Sequence, residues 1–207
     1  ARARAGAKMV RETIDYFKEN GVRAVNMSWG GSLRGIEEAL EAHDAGGTPE
    51  ERKQLARELY TIGDTALRES IRDAGEILFI TSAGNADNDV KFEEFYPSSY
   101  DYPNMLSVGA VDVAGEETSF TSLGKVDIYA NGFEVESYVP GGNRIKFNGT
   151  SMSSPQVLNL AAKLLALDPS LSTAALRQMI LDGSDKKALE TRTIRLMNPA
   201  ASAALIP

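Results

Sequence analysis

One segment constrains this chain more than any other. From Ser151 to Leu167 the sequence reads as a helix that is apolar nearly all round, with Val157, Leu158, Leu160, Ala161, Ala162, Leu164, Leu165 and Leu167 leaving no continuous polar face. Such a helix is expected at the centre of a layered domain rather than on its surface. The residues that feed it are Asn148-Gly149-Thr150-Ser151-Met152-Ser153-Ser154-Pro155. A flexible Asn-Gly step followed by small residues brings the Ser151 hydroxyl to the first turn of a buried helix. The unpaired N–H groups and positive dipole end at that turn suit a developing oxyanion. The plainer alternative is that Thr150 or Ser151 only caps the helix, a far commoner use of such residues.

The rest of the chain alternates between short apolar runs and amphipathic stretches. Residues 5–20 pattern as a helix with Met9, Val10, Thr13, Ile14 and Phe17 on one face, ended by Asn20-Gly21. A strand is expected over 22–27, then helix over 34–43 up to the break at Asp44-Ala45-Gly46-Gly47. Thr48-Pro49-Glu50-Glu51 has the form of a capping box with Pro at the first helical position. It should open a long helix to about Asp73, with Leu55, Leu59, Ile62, Ala66 and Ile71 on its buried face and Gly75 as its stop. Strands are expected at 77–81, 105–111 and 126–130, and a hairpin over 134–148 around Pro140-Gly141-Gly142-Asn143. After the apolar helix, a further helix capped by Ser172 or Thr173 runs to Gly183, and 194–196 is a last short strand. This alternation predicts an α/β domain with a mostly parallel sheet. Ligands then belong at the carboxyl ends of the strands.

Composition narrows the functional classes. The 207 residues are 43% hydrophobic and 25% charged, and the net charge of −7 argues against a nucleic-acid surface. No apolar run is long enough for a membrane span. The absence of cysteine removes disulfides, thiolate metal sites and thiol catalysis. With Ala in first place instead of Met, a processed or trimmed start is expected.

Two further segments lie where strands end. Ser82-Ala83-Gly84-Asn85 follows a buried strand, and Asn85 reads either as a turn residue or as a side-chain amide aimed at an oxyanion. Asn26-Met27-Ser28-Trp29-Gly30-Gly31 ends another strand, and its glycines allow another backbone to approach. Trp29 reads as a pocket wall or as core.

Taken together, these pieces resemble the subtilisin-like serine proteases. Gly149-Thr150-Ser151-Met152 with Pro155 is similar to that family's nucleophile motif, Ser82-Ala83-Gly84-Asn85 to its Ala-Ala-Gly-Asn, and Asn26 to Gly31 to its Asn-Met-Ser-Leu-Gly-Gly. Tyr96-Pro97-Ser98-Ser99, Val108-Gly109-Ala110-Val111-Asp112 and Thr118 to Gly124 fall in the family's order, so the resemblance runs from about residue 5 to residue 183. It implies Ser151 as nucleophile and Asn85 with the Ser151 backbone N–H as the oxyanion hole. Ser28, Trp29, Gly30, Ser82, Ala83, Gly84 and Thr150 would contact an extended peptide, with Ser28 to Gly30 lining the pocket for the side chain before the scissile bond.

The resemblance is incomplete. The family places an Asp in an Asp-Ser/Thr-Gly turn and a His in a His-Gly-Thr-His helix before the serine, and neither motif occurs here. The single histidine, His43, follows the Ser-Trp-Gly-Gly strand on a predicted helix and reads as an ordinary helical residue. Lys163 lies about three turns from Ser151 on the same helix and is out of reach as a base. Residues 33–63 look like a helical insertion that extends the helical layer or acts as a lid.

The expectation is therefore a partial subtilisin-like α/β domain over 1–207, with helices on both faces of the sheet but without the N-terminal strands and the catalytic-His helix. It should be inactive alone and expose a sheet edge that takes the missing segment or a second copy. A non-catalytic peptide-binding module is the competing reading. No cofactor is implied. Calcium, which relatives often bind, has only Asp87-Asn88-Asp89 as a candidate loop and no assignable ligands. Family habit points to a secreted or cell-envelope protein; no partnership with nucleic acid or membrane is expected.

Overall fold

In a computed structural model that describes residues 1–206, the chain begins with helix α1 (Arg2–Glu19), capped at Asn20 and turned by Gly21. Strand β1 (Ala24–Met27) follows, then α2 (Leu33–Ala42) and α3 (Pro49–Arg72). The capping box at α3 forms as the sequence predicts: Thr48 Oγ1 accepts from the Glu51 N–H and Glu51 reaches back to the Thr48 N–H. Next come β2 (Leu78–Ser82), β3 (Met105–Val111), β4 (Ile128–Asn131) and the hairpin strands β5 (Val135–Tyr138) and β6 (Arg144–Phe147). Helices α4 (Thr150–Leu167) and α5 (Thr173–Asp182), strands β7 (Asp185–Ala188) and β8 (Thr193–Leu196), and helix α6 (Pro199–Ala203) complete it.

Six strands form one sheet in the order β1-β2-β3-β4-β8-β7, parallel from β1 through β8, with β7 antiparallel at the far edge. Helices cover both faces, and the side-chain alternation of a strand explains the division. Leu78 and Ile80 of β2, with Leu106 and Val108 of β3, pack against Val157, Leu160, Ala161 and Leu164 of α4 and Leu176 and Ile180 of α5. The residues between them, such as Phe79 and Met105, turn the other way onto Leu67 and Ile71 of α3 and Ile14 of α1. β2 and β3 are buried along their whole length, which is why their sequences are continuous apolar runs instead of alternating ones.

Several details differ from the sequence reading. On α1 the covered stripe is Ala7, Val10, Ile14 and Phe17, while Thr13 is exposed and Met9 is 63% exposed. Those two residues line a cavity beside β1, whose outer flank no strand among the described residues occupies. On α3 the buried set is Ala56, Tyr60, Ala66, Leu67 and Ile71; Leu55, Leu59 and Ile62 are only half-buried. Helix α4 is central but not enclosed, for Ala162 is exposed and Leu167 is 63% exposed. Its apolar circumference exceeds what residues 1–206 cover. Helix α3 ends at Arg72 with Asp73 as C-cap, ahead of Gly75. Residues 33–63 form α2 and the first half of α3, and they extend the helical layer on the α1 side of the sheet.

Candidate active site

Three strand-to-helix or strand-to-loop junctions meet at the carboxyl end of the sheet: the ends of β1 and β2 and the N-terminus of α4. The β1 junction is tied to α4 by Ser28. Its Oγ contacts Ser154 Oγ at 2.9 Å, donates to the Ser151 carbonyl at 3.1 Å and accepts from Asn26 Nδ2 at 2.9 Å. Pro155 explains this arrangement. A proline has no N–H for the carbonyl four residues back, so the Ser151 oxygen is released from the helix ladder and takes a donor from β1 instead.

The β2 junction is tied to α4 by Thr150, which is fully buried. Its N–H and hydroxyl both donate to Asn85 Oδ1, at 2.8 and 2.9 Å, and its Oγ1 accepts from the Gly84 N–H at 3.1 Å. An amide N–H can only donate, so the Asn85 oxygen must face Thr150 and the Nδ2 group is left outward. Nδ2 has no hydrogen-bond partner among the described residues. Gly149 stands beside it at φ +151°, a conformation that disfavours any side chain, and a Cβ there would lie 3.3 Å from Nδ2. Ser151 is the second residue of α4, so its N–H has no carbonyl of the helix to bond. Two N–H groups near the start of α4, Asn85 Nδ2 and the Ser151 amide, are thus without a partner among the described residues.

The Ser151 hydroxyl itself has only a long contact, 3.5 Å to the Ser28 carbonyl. No histidine, carboxylate or lysine bonds to it among the described residues. His43 is the C-cap of α2, exposed, with Nδ1 2.8 Å from the Ala39 carbonyl of its own helix. Lys163 is exposed on α4.

The residues expected to contact a peptide separate into two groups. Ser82 and Ala83 have buried side chains, and the Ala83 N–H is taken up by the Val108 carbonyl. The Gly84 N–H is likewise engaged by Thr150. Trp29 and Gly30, in contrast, have backbone groups that bond nothing among the described residues, and the Trp29 ring is half exposed. It borders a cavity of about 270 Å³ with Met9, Ile14, Phe17, Val25 and Phe79, which makes it a wall between α1 and β1.

Two features of the site escape a reading of the sequence. One is the Ser28–Ser154 contact, which Pro155 signals only once the helix phase is known. The other is Phe95. Gly31 pairs with Tyr96 through both backbone bonds, at 2.9 and 2.8 Å, and this lays Phe95 on Gly30: a Cβ there would lie 2.4 Å from Phe95 Cε1. Loop 90–96 is held from outside as well. Arg57 of α3 bonds Glu94 at 2.8 Å and keeps its carboxyl below the usual range, and the Tyr60 and Tyr96 rings pack at 5.4 Å.

In the candidate calcium loop, Asp89 Oδ1 accepts from the N–H groups of Lys91 and Phe92. Among the described residues, no group of three or more His, Asp or Glu side chains is placed to hold a metal ion. No helix among them is long and apolar enough to cross a membrane.

Comparison with known proteins bears on the family and the fold. The family model described as the subtilase family matches residues 3–195. Subtilisin DY of Bacillus licheniformis is 30% identical over 171 residues, 81% of this chain and 51% of that protein. A subtilisin of Bacillus pumilus is 34% identical over 122 residues, 57% of this chain and 44% of its own length. An intracellular serine protease of Paenibacillus polymyxa is 35% identical over 137 residues, 64% of this chain and 40% of its own. The chain therefore spans about half the length of the curated relatives it matches. Among solved structures, a cold-adapted subtilisin-like serine proteinase superposes with TM-score 0.66 at 23% identity, over 92% of this chain and 60% of its own. The prenylagaramide maturation protease PagA superposes with TM-score 0.71 at 22% identity, over 96% and 66%. At these identities the structural matches establish the fold.

Proposed function

The chain belongs to the subtilase family, and on that premise we propose that residues 1–207 are the nucleophile-bearing part of a serine endopeptidase. The observation that carries the proposal is the clamp on Asn85. Thr150 fixes its amide oxygen and leaves Nδ2 free beside the unpaired N–H of Ser151. A peptide carbonyl attacked by Ser151 Oγ would place its developing negative charge between those two donors, which need no reorganisation to receive it. Trp29 and Gly30 would pair with the extended substrate through their unengaged backbone groups.

A serine hydroxyl needs a base to become a useful nucleophile at neutral pH. The base and its orienting carboxylate are assigned to a segment outside residues 1–207 that carries the family's His and Asp motifs. The uncovered flank of β1, with Met9 and Trp29 exposed beside it, is the surface that segment would cover. Without it, Ser151 should be nearly inert: loss of the histidine alone costs about 2 × 10⁶ in kcat, a magnitude established on subtilisin. From its subtilisin relatives we infer a secreted or cell-envelope habit for the complete protein, with the intracellular serine protease of Paenibacillus polymyxa as the contrary case.

The test combines mass and activity. Intact mass and N-terminal sequencing of the natural protein should find the Asp-Ser/Thr-Gly and His-Gly-Thr-His motifs, on this polypeptide or on a co-purifying one. Peptide hydrolysis should appear only when they are present and vanish in Ser151→Ala. Hydrolysis that survives Ser151→Ala, or a complete protein that carries both motifs and cleaves nothing, would refute it. A protein without either motif that still binds peptides would establish the binding-module reading.

A further inference from the structure

We propose that Phe95 sets the size of the pocket that receives the side chain preceding the scissile bond, and restricts it to glycine, alanine or another small residue. This rests on the peptidase reading above, which puts a peptide along Trp29 and Gly30.

The argument starts from what stands between the two strand ends. A substrate running along Trp29-Gly30, with its carbonyl at Asn85 and Ser151, must send the side chain before the scissile bond between the β1 and β2 junctions. One loop, residues 90–96, supplies a neighbour to each junction. On the β2 side, a Cβ on Gly84 would lie 3.8 Å from Val90 Cγ1 and 2.8 Å from Ser122 Oγ. On the β1 side, a Cβ on Gly30 would lie 2.4 Å from Phe95 Cε1, 3.0 Å from Cζ and 2.7 Å from the Tyr96 carbonyl. The Phe95 ring therefore rests directly on the backbone that the substrate would line. It is only half-buried, so part of it remains open to whatever enters. A phenyl ring already in place cannot share its volume with a second large side chain without displacing it.

Displacement is opposed on every side. Phe95 N–H donates to the Val90 carbonyl at 2.9 Å, and the next residue is paired to Gly31 through both of its backbone groups. Glu94 is bonded to Arg57, and the Tyr96 ring rests on Tyr60 and lies 3.2 Å from the Cβ position of Gly31. Arg57 and Tyr60 belong to the 33–63 segment, so its role at this site is to brace the pocket floor. Both are positioning residues, acting through the loop.

The experiment uses the complete protein with acylated tetrapeptide anilides that differ only in the residue before the anilide: Gly, Ala, Leu or Phe. Wild type should favour Ala over Phe by about 100-fold in kcat/KM, the range a shaped apolar pocket provides. Phe95→Ala should shift that ratio toward Phe by at least about tenfold, and Phe95→Leu should fall between. Arg57→Met, which leaves the pocket lining intact, should shift it less and in the same direction. Equal or better cleavage after Phe or Leu by wild type would overturn the proposal. So would a ratio unmoved in Phe95→Ala and Phe95→Leu when both retain the wild-type melting temperature. If no peptide is cleaved, the peptidase reading fails by itself and binding decides Phe95. The corresponding tetrapeptide carboxylates are then titrated by fluorescence anisotropy. Tighter binding of the Ala peptide than the Phe peptide supports the size limit; equal or absent binding overturns it.

Discussion

Replacing Thr150 by valine removes one hydroxyl from the clamp and nothing else, because valine keeps both branches at Cβ. The hydroxyl has two bonds to lose. As an acceptor it satisfies the Gly84 N–H at 3.1 Å, and as a donor it bonds Asn85 Oδ1 at 2.9 Å. The two losses are unequal. Asn85 is exposed and keeps the Thr150 N–H at 2.8 Å, so water replaces the missing donor at little cost. The Gly84 N–H faces a residue with no exposed surface and is left without a partner. A buried donor deprived of its acceptor costs about 1–3 kcal/mol, so about 2 kcal/mol is expected for Thr150→Val. Thr150→Ser keeps both bonds and loses one buried methyl, about 1 kcal/mol. The expected order of stability is therefore Thr, Ser, Val. Urea unfolding followed by circular dichroism, with an unchanged m-value, reads it directly. In the complete protein Thr150→Val should lower kcat with little change in KM. The loss should stay below the roughly 10²–10³ that removing an oxyanion donor outright costs in subtilisin. A valine variant within 0.5 kcal/mol of wild type, or more stable than the serine variant, would refute the assignment of the clamp to this hydroxyl.

Three other outcomes follow from the same contacts. Ser28→Ala leaves the Ser151 carbonyl, freed by Pro155, without its donor; a loss of about 1–3 kcal/mol is expected in the same urea assay, and a neutral result would mean water serves that carbonyl equally well. Tyr60 and Tyr129 are pushed up to about 12, chiefly by burial, and Tyr100 is raised further by burial and by Asp64. A raised tyrosine leaves stability intact below the unfolded value near 10 and removes it as pH climbs toward the folded value. The unfolding free energy should therefore hold to about pH 10 and then fall, by up to about 1.4 kcal/mol per pH unit for each phenol, and lower the urea midpoint with it; a midpoint unchanged at pH 11 would contradict the burial argument. Finally, the uncovered flank of β1 should make residues 1–207 self-associate across roughly two decades of concentration in sedimentation velocity, and a single monomeric boundary throughout would count against an unprotected edge.

What could be read from the sequence divides along physical lines. Elements whose signals are local were legible. The Thr48–Glu51 capping box, the continuous apolar runs of β2 and β3 and the Ser172 cap of α5 all carry their own chemistry. Buried faces were legible only where this chain supplies the cover. Met9 and Thr13 share a side with Val10 and Ile14 yet remain exposed, and the circumference of α4 exceeds the surface that residues 1–206 bring to it. Strand β7, Asp-Lys-Lys-Ala, has no apolar period because it is an edge strand with mostly exposed side chains. Helix α6 did carry a signal, Asn198 before Pro199, but at five residues it gave no periodicity. At the site, Ser151, Asn85 and Thr150 stood out as motif residues. Phe95 did not, because its position depends on the pairing of Gly31 with Tyr96, sixty-five residues apart, and no local pattern reports that.

The clamp between Thr150 and Asn85 has a consequence for how such an enzyme divides. Both donors of the proposed oxyanion hole, and the Thr150 bonds that hold Asn85, come from the loop that follows β2 and from the first turn of α4. On the proposed function, the half of the machinery that receives negative charge is then complete without the half that moves protons. Supplied as a separate chain, a segment bearing the base would not have to rebuild anything; it would only have to dock. Turnover would then rise with the concentration of that segment as a simple saturation curve, and its midpoint would be the dissociation constant of one strand edge.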